Sequence, residues 1–262
     1  MNYIFVIDID GTMIGNCTYQ ALLYKFILYC KKSNINININ EYIHKIYNQD
    51  NKLLRPFFIY FMKKIKQYYK NVYFYVYTSS NKDWANKEIS FIEKENNIKF
   101  NRPIFTRDDC IIIDNLYKKS VLHIIKKIKI KGEYQLMIID NLNVYSDMID
   151  NLLLCPTYNY TIYENLWDYL PIKHYNDLLI NEYIKKKINI TMPPYNNNIN
   201  LNQREKTLSY KWLYKFNNKI NKKNKKDLND LFWKNLTDYL INNNITEFNK
   251  KTIKTINNII DI

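Results

Sequence analysis

Glycine, proline and cysteine are scarce in this 262-residue chain, which has three, six and four of them. The four cysteines show no C-x-x-C spacing, which argues against a zinc site and against a disulfide framework. No apolar run reaches the roughly 18 residues of a membrane span, and no signal-peptide pattern opens the chain. We therefore expect an intracellular protein, cytoplasmic or nuclear, with a reduced environment and no membrane partner.

Positive charge is in excess, with a formal net charge of +14. A strongly basic chain normally suggests nucleic-acid or acidic partners. Heavy use of Asn, Ile, Lys and Tyr, however, is also what an A/T-rich genome produces, such as that of a virus or a parasite. Both explanations of the charge stay open at this point.

Short apolar runs alternate with segments of helical spacing, which predicts an α/β fold with a parallel sheet flanked by helices. The candidate strands are 3–9, 72–77, 110–113, 136–139 and 152–155, and candidate helices between the first two are 19–32 and 56–69. We predict one domain over 1–181, with an insert at about 13–71 that follows the first strand and is helical.

The character of the chain changes after about residue 181, where lysine, proline and asparagine runs resemble a linker. Beyond it, apolar residues at helical spacing predict two amphipathic helices, so we describe 182–262 as a basic helical C-terminal extension. The lysine run 219–226 is interpreted as a solvated loop, with an interaction tail that contacts nucleic acid as the alternative.

Two carboxylates follow the first apolar run, in the sequence Asp8-Ile9-Asp10-Gly11-Thr12. A buried strand that ends in this way places both acids at the carboxyl edge of the sheet, where open parallel sheets bind ligands. Gly11 directly behind the pair indicates a turn that requires positive φ.

Later strands supply complementary groups at the same edge. The second strand is followed by Thr78 and Ser79, whose hydroxyls and amides suit a phosphoryl oxygen. The run 136–139 is followed by Asp140-Asn141. Lys118, which lies along the sequence between Ser79 and Asp140, provides a cation, with the adjacent Lys119 as the alternative. Carboxylate, hydroxyl, lysine and second acid in this order predict a phosphoryl-transfer site.

In this order the chain resembles the haloacid dehalogenase superfamily, which has a Rossmann-like core. Further short motifs resemble its NIF-like or FCP-like group, the small RNA polymerase II C-terminal-domain phosphatases. These are Arg55-Pro56, Thr78-Ser79-Ser80 with Trp84-Ala85, Arg107-Asp108-Asp109-Cys110, Asp140-Asn141 and the run 166–171. The resemblance covers about 1–178; Gly11 replaces a common Glu, and Ser79 replaces an Ala.

The resemblance implies a role for each of five catalytic residues. Asp8 would be the nucleophile that forms an aspartyl-phosphate, and Asp10 would be the general acid and then the general base. Thr78 would hydrogen-bond a phosphoryl oxygen. Lys118 would neutralise charge, and Asp140 would orient that lysine.

A metal ion and a substrate pocket are also implied by the resemblance. Asp8, the main-chain carbonyl of Asp10 and Asn141 would hold Mg²⁺, which prefers oxygen ligands. Thr78, Ser79 and Arg55 would contact the substrate.

The predicted function is therefore Mg²⁺-dependent hydrolysis of a phosphomonoester. The substrate is either a phosphorylated protein, as for phosphoserine phosphatases of the C-terminal-domain type, or a small phosphoester. A helical insert after the first strand would favour small substrates. Alternatives are an enzyme of the same fold that acts on nucleic-acid ends, and a non-catalytic basic binding protein.

Overall fold

The computed structural model describes residues 1–17, 27–161, 218, 222 and 224–260. Contacts divide the chain into two compact units: Met1–Gly15 with Tyr47–Tyr160 and Asp227–Ile262, called the first unit here, and Asn16–Ile46 with Thr161–Lys226. The predicted 166–171 motif lies outside the described residues, as does half of the lysine run 219–226. The domain boundary at 181 stays a prediction.

A four-stranded parallel sheet forms the centre of the first unit. Its strands are β1 (Asn2–Ile7), β2 (Val72–Val76), β5 (Tyr134–Asp140) and β6 (Leu152–Leu154), in the order β2-β1-β5-β6. The inner residues of β1 are fully buried, as expected for a strand covered on both faces. The predicted α/β class with a parallel sheet is confirmed.

The run 110–113 is not part of this sheet, so that prediction was wrong. β3 (Ile111–Ile113) pairs antiparallel with β4 (Leu116–Lys118) in a separate two-stranded hairpin. Asp114 and Asn115 form the turn with φ of 50° and 60°, the conformation that a two-residue hairpin turn requires. The apolar composition of the run therefore identified a strand but not its partner.

Helices fill the connections between the strands. They are α1 (Ile39–Tyr47), α2 (Phe58–Tyr68), α3 (Lys82–Asn96) and α4 (Val121–Ile128). Side chains cap two of them: Asn81 accepts from the first turn of α3, and Ser120 accepts from the first turn of α4. The described part of the predicted helix 19–32, residues 27–32, is helical.

Two further helices end the chain, α5 (Phe232–Asn242) and α6 (Lys250–Ile260), which confirms the helical prediction there. α5 buries Trp233, Leu236 and Leu240, and Phe248 packs edge-on against Phe5 of β1. Residues 227–262 thus belong to the compact unit of the sheet, although the sequence suggested an appendage. None of the helices in the described ranges has the length and apolar character needed to cross a bilayer.

Candidate active site

The site begins where neighbouring strands of the sheet end together. Ile7 of β1 pairs with Val76 on one side and with Ile139 on the other. The residues that follow these three strand positions therefore meet at one edge, which is the carboxyl edge of the sheet. This register brings Asp8 beside Asp140, as the sequence predicted.

Lys119 lies between these two acids. Its Nζ is 2.6 Å from Asp8 Oδ1 and 2.7 Å from Asp140 Oδ2, and all three side chains are buried. The structure thus places Lys119 at the position expected for Lys118. The reason is the path of the chain: Lys118 still pairs with Ile111 in the hairpin, whereas Lys119 is the first residue beyond it.

Two tyrosines surround the ammonium group of Lys119. The rings of Tyr77 and Tyr145 lie 5.7 and 5.4 Å from Nζ, within the range of a cation–π contact. Tyr145 Oη also donates to Asp140 Oδ2 at 3.0 Å. Sequence reasoning missed both residues; the place of Tyr77, directly before Thr78 at the end of the β2 run, was the available signal.

Burial and charge set the ionisation of this group. Burial raises the pKa of Asp8 from 3.8 to about 7, against the lowering effect of Lys119. For Lys119, burial lowers the pKa, but the charges of Asp8 and Asp140 outweigh it, and the net shift is upward. Lys119 is therefore a permanent cation, and Asp8 titrates near neutral pH.

Asp10 lies on the open side of the site. Its residue surface is exposed, yet surrounding protein atoms raise the pKa of its carboxyl to about 6 by desolvation. Ser80 Oγ donates to Asp10 Oδ2 at 3.0 Å, and the Ser80 N–H donates to Thr78 Oγ1 at 3.1 Å. The sequence indicated Ser80 only as part of a motif, and the structure gives it a contact with the predicted general acid.

Asn141 is held by the turn that follows Asp10. Thr12 Oγ1 donates to Asn141 Oδ1 at 3.2 Å and accepts from the Asn141 N–H at 3.1 Å. Gly11 has a φ of +75°, and a Cβ there would lie 2.7 Å from Asn141 Nδ2. The positive φ favours glycine here, because any other residue would be strained, and a side chain would also require the Asn141 amide to shift.

Ser79 and Arg55, the other two residues predicted to contact the substrate, lie in different surroundings. Ser79 is half-buried beside Thr78, and its carbonyl accepts from Arg107 Nε at 2.8 Å. Arg55 is 1% exposed, and its Nε and Nη2 donate to the two carboxylate oxygens of Asp230 at 2.9 and 2.8 Å. The guanidinium of Arg55 is thus buried and paired with Asp230, and its predicted contact with the substrate stays a prediction. Nothing in the sequence pattern could reveal a partner 175 residues away.

The chemistry of the donor set fits Mg²⁺. Asp8 offers a carboxylate, Asp10 a main-chain carbonyl, and Asn141 an amide oxygen, all hard donors that leave room for waters. Within the described ranges, no cluster of three or more His, Cys, Asp or Glu side chains could hold a metal. A purely side-chain cage for zinc or calcium is therefore not seen in that part of the chain.

The chain was compared with known families and structures. A model of the NLI interacting factor-like phosphatase family matches residues 3–179. No curated protein matches the chain. Two solved structures are similar at 16% identity, and each match covers 85% of this chain. One is the fission yeast RNA polymerase II CTD phosphatase Fcp1 bound to beryllium fluoride, with a TM-score of 0.39. The other is Fcp1, described as an essential RNA polymerase II CTD phosphatase, with a TM-score of 0.38. The match spans 66% of each of those chains.

Proposed function

Because the chain belongs to the NLI interacting factor-like phosphatase family, we propose that it hydrolyses phosphomonoesters at Asp8 with the aid of Mg²⁺. The expected family and enzyme class, a phosphoric monoester hydrolase, are confirmed at the level of that family. The observation that supports the mechanism best is the buried Lys119, held between Asp8 and Asp140. Such a cation serves to neutralise charge beside a carboxylate nucleophile.

In the first step, a carboxylate oxygen of Asp8 attacks phosphorus in line. The new Asp8 O–P bond forms as the ester P–O bond breaks, and Asp10 gives its proton to the leaving alcohol oxygen. A pKa of about 6 for Asp10 keeps a usable fraction protonated near neutral pH. Lys119 holds Asp8 Oδ1, so we assign the attack to Oδ2.

In the second step, water hydrolyses the aspartyl-phosphate. Asp10, now ionised, takes a proton from the water while the water oxygen bonds to phosphorus. The Asp8 O–P bond breaks, and phosphate is released. Ser80 keeps the Asp10 carboxylate in place through its hydroxyl. The site returns to its starting state, with Asp10 protonated and Asp8 in the ionised form, which Mg²⁺ would favour when bound by Asp8.

The remaining residues balance charge and orient groups. Lys119 neutralises negative charge on Asp8 and on one phosphoryl oxygen, while Asp140 orients the ammonium group. Thr78 binds a second phosphoryl oxygen. When bound by Asp8, the Asp10 carbonyl and Asn141, Mg²⁺ would offset the repulsion between the nucleophile and an anionic phosphate.

For the substrate we propose a phosphorylated protein, on the ground of family membership. Small phosphoesters and phosphorylated ends of nucleic acids are the alternatives, and contact of the basic C-terminal part with nucleic acid stays a prediction. Phosphoserine peptides, sugar phosphates and 3′- or 5′-phosphorylated oligonucleotides should be compared at equal concentration. The highest kcat/KM identifies the class, and a preference for oligonucleotides would replace the protein substrate.

The mechanism itself is tested with para-nitrophenyl phosphate. We expect Mg²⁺-dependent hydrolysis that is abolished by EDTA and by Asp8→Asn, because the amide cannot act as the nucleophile. Asp114→Asn is the matched control: it makes the same change at an exposed hairpin turn and should keep wild-type activity. Full activity in Asp8→Asn, or in EDTA, would contradict the mechanism.

A further inference from the structure

Helix α5 contacts the turn that follows the catalytic acids, although it lies beyond the family match of 3–179. The Trp233 side chain is fully buried, and its Nε1 donates to the main-chain carbonyl of Thr12 at 3.3 Å. Both residues belong to the first unit. The helix therefore touches the Asp8–Thr12 turn directly.

A second route leads from the C-terminal segment to the same threonine. Asp230 holds Arg55 through two hydrogen bonds, and the Arg55 N–H donates to the Met13 carbonyl at 2.8 Å. Arg55 Nη1 lies 3.5 Å from Cys155 Sγ, which in turn lies 3.7 Å from Thr12 Oγ1. The pair thus fixes the chain on both sides of the Thr12 hydroxyl.

Both routes converge on the residue that orients Asn141. The Thr12 hydroxyl meets the side-chain oxygen and the main-chain N–H of Asn141. We propose that Trp233 is a positioning residue: through Thr12 it holds Asn141 in the orientation that binds Mg²⁺. This inference rests on the proposed function, since it concerns the metal of that same site.

Trp233 combines aromatic packing with one polar contact. Its ring contacts Phe58, Phe61 and Phe232 at centroid distances of 4.7 to 5.0 Å, and a phenylalanine could make aromatic contacts there too. A phenylalanine lacks the indole N–H, and this group donates to the Thr12 carbonyl. Partners that orient a metal ligand typically change metal affinity or activity by 10–100-fold when removed.

The test compares Trp233→Phe with Phe248→Leu. Phe248 is equally buried but packs on Tyr3 and Tyr69, so its replacement removes packing without touching Thr12. Calorimetric titration of the metal-free proteins with Mg²⁺ gives the Kd, and thermal melting gives the loss of stability. We expect Trp233→Phe to raise the Kd for Mg²⁺ roughly tenfold, and Phe248→Leu to lower the melting temperature with an unchanged Kd.

Each result decides one proposal. Mg²⁺ binding by Trp233→Phe with the wild-type Kd would overturn the positioning role and leave α5 as a packing helix. Absence of Mg²⁺ binding in the wild-type protein would instead overturn the proposed function. If Trp233→Phe does not fold, the indole N–H signal of Trp233 is followed by NMR in the wild type.

That signal is identified by elimination, from variants that replace the other three tryptophans. We expect it to shift during the Mg²⁺ titration with the calorimetric midpoint. A signal that does not respond to Mg²⁺ would overturn the inference.

Discussion

The two sides of Asp8 differ in how they treat charge. On one side, Lys119 and Asp140 are buried with Tyr145, and their charges are neutralised by one another. On the other side, Asp10 is exposed and is held by a single described hydrogen bond, from Ser80. A buried cation is tolerated only when acids pair with it, as Asp8 and Asp140 do with Lys119, whereas a group that exchanges protons with water needs access to solvent. The closed side should therefore matter for folding and catalysis, and the open side for catalysis alone.

The largest effect is expected on the closed side. Lys119→Met leaves Asp8 and Asp140 buried without their cation, which costs about 3–5 kcal/mol of stability and should reduce hydrolysis to background. Lys118→Met is the matched control, because Lys118 lies in the hairpin. Thermal melting and the para-nitrophenyl phosphate assay measure both variants. A stronger loss in Lys118→Met would show that the site is assigned to the wrong lysine.

A smaller effect that is confined to catalysis is expected on the open side. Asp10→Asn keeps an acceptor for Ser80 but cannot give or take a proton, so kcat should fall by roughly 10²–10⁴-fold. The melting temperature should stay within a few degrees of wild type, because an exposed residue is replaced by one of similar shape. Single-turnover kinetics and melting test this; a large drop in melting temperature would remove the distinction between the two sides.

Asp8, between the two sides, should give the metal-free protein a pH-dependent stability. Its folded pKa of about 7 lies above the ordinary 3.8, so between these values the folded state holds a proton that the unfolded state has lost. The free energy of unfolding should therefore fall as pH rises from about 4 to about 7, by at most roughly 4 kcal/mol, and then level off. Asp10 acts in the same direction.

Denaturant unfolding in EDTA at pH 5, 6, 7 and 8 measures this dependence. Asp8→Asn should flatten most of the slope, while Asp114→Asn should keep it. An identical slope in Asp8→Asn would mean that other groups cause it.

Local patterns predicted the elements better than their partners. The apolar runs at 3–9, 72–77, 136–139 and 152–155 became strands of one parallel sheet, because consecutive apolar residues of that length suit a strand buried on both faces. The run 110–113 has the same composition but forms a hairpin. Pairing depends on which segment lies alongside, and a run of apolar residues carries no information about that.

The site shows the same division. Asp8, Asp10 and Asp140 were found because each follows a strand run, and strand ends can be read locally. The sequence alone could not distinguish Lys118 from Lys119, because neighbouring residues look equivalent. The end of the hairpin decides that Lys119 is the one that contacts Asp8.

The sequence by itself determined the chemistry available at the sheet edge: two acids with a glycine turn, a hydroxyl, a lysine and an Asp-Asn pair, in a fixed order along the chain. Tertiary structure alone decided that Arg55 pairs with Asp230 and that Trp233 reaches Thr12. The physical reason is that strand ends and turns are set by nearby residues, while buried polar groups take whichever partner the folded chain brings to them.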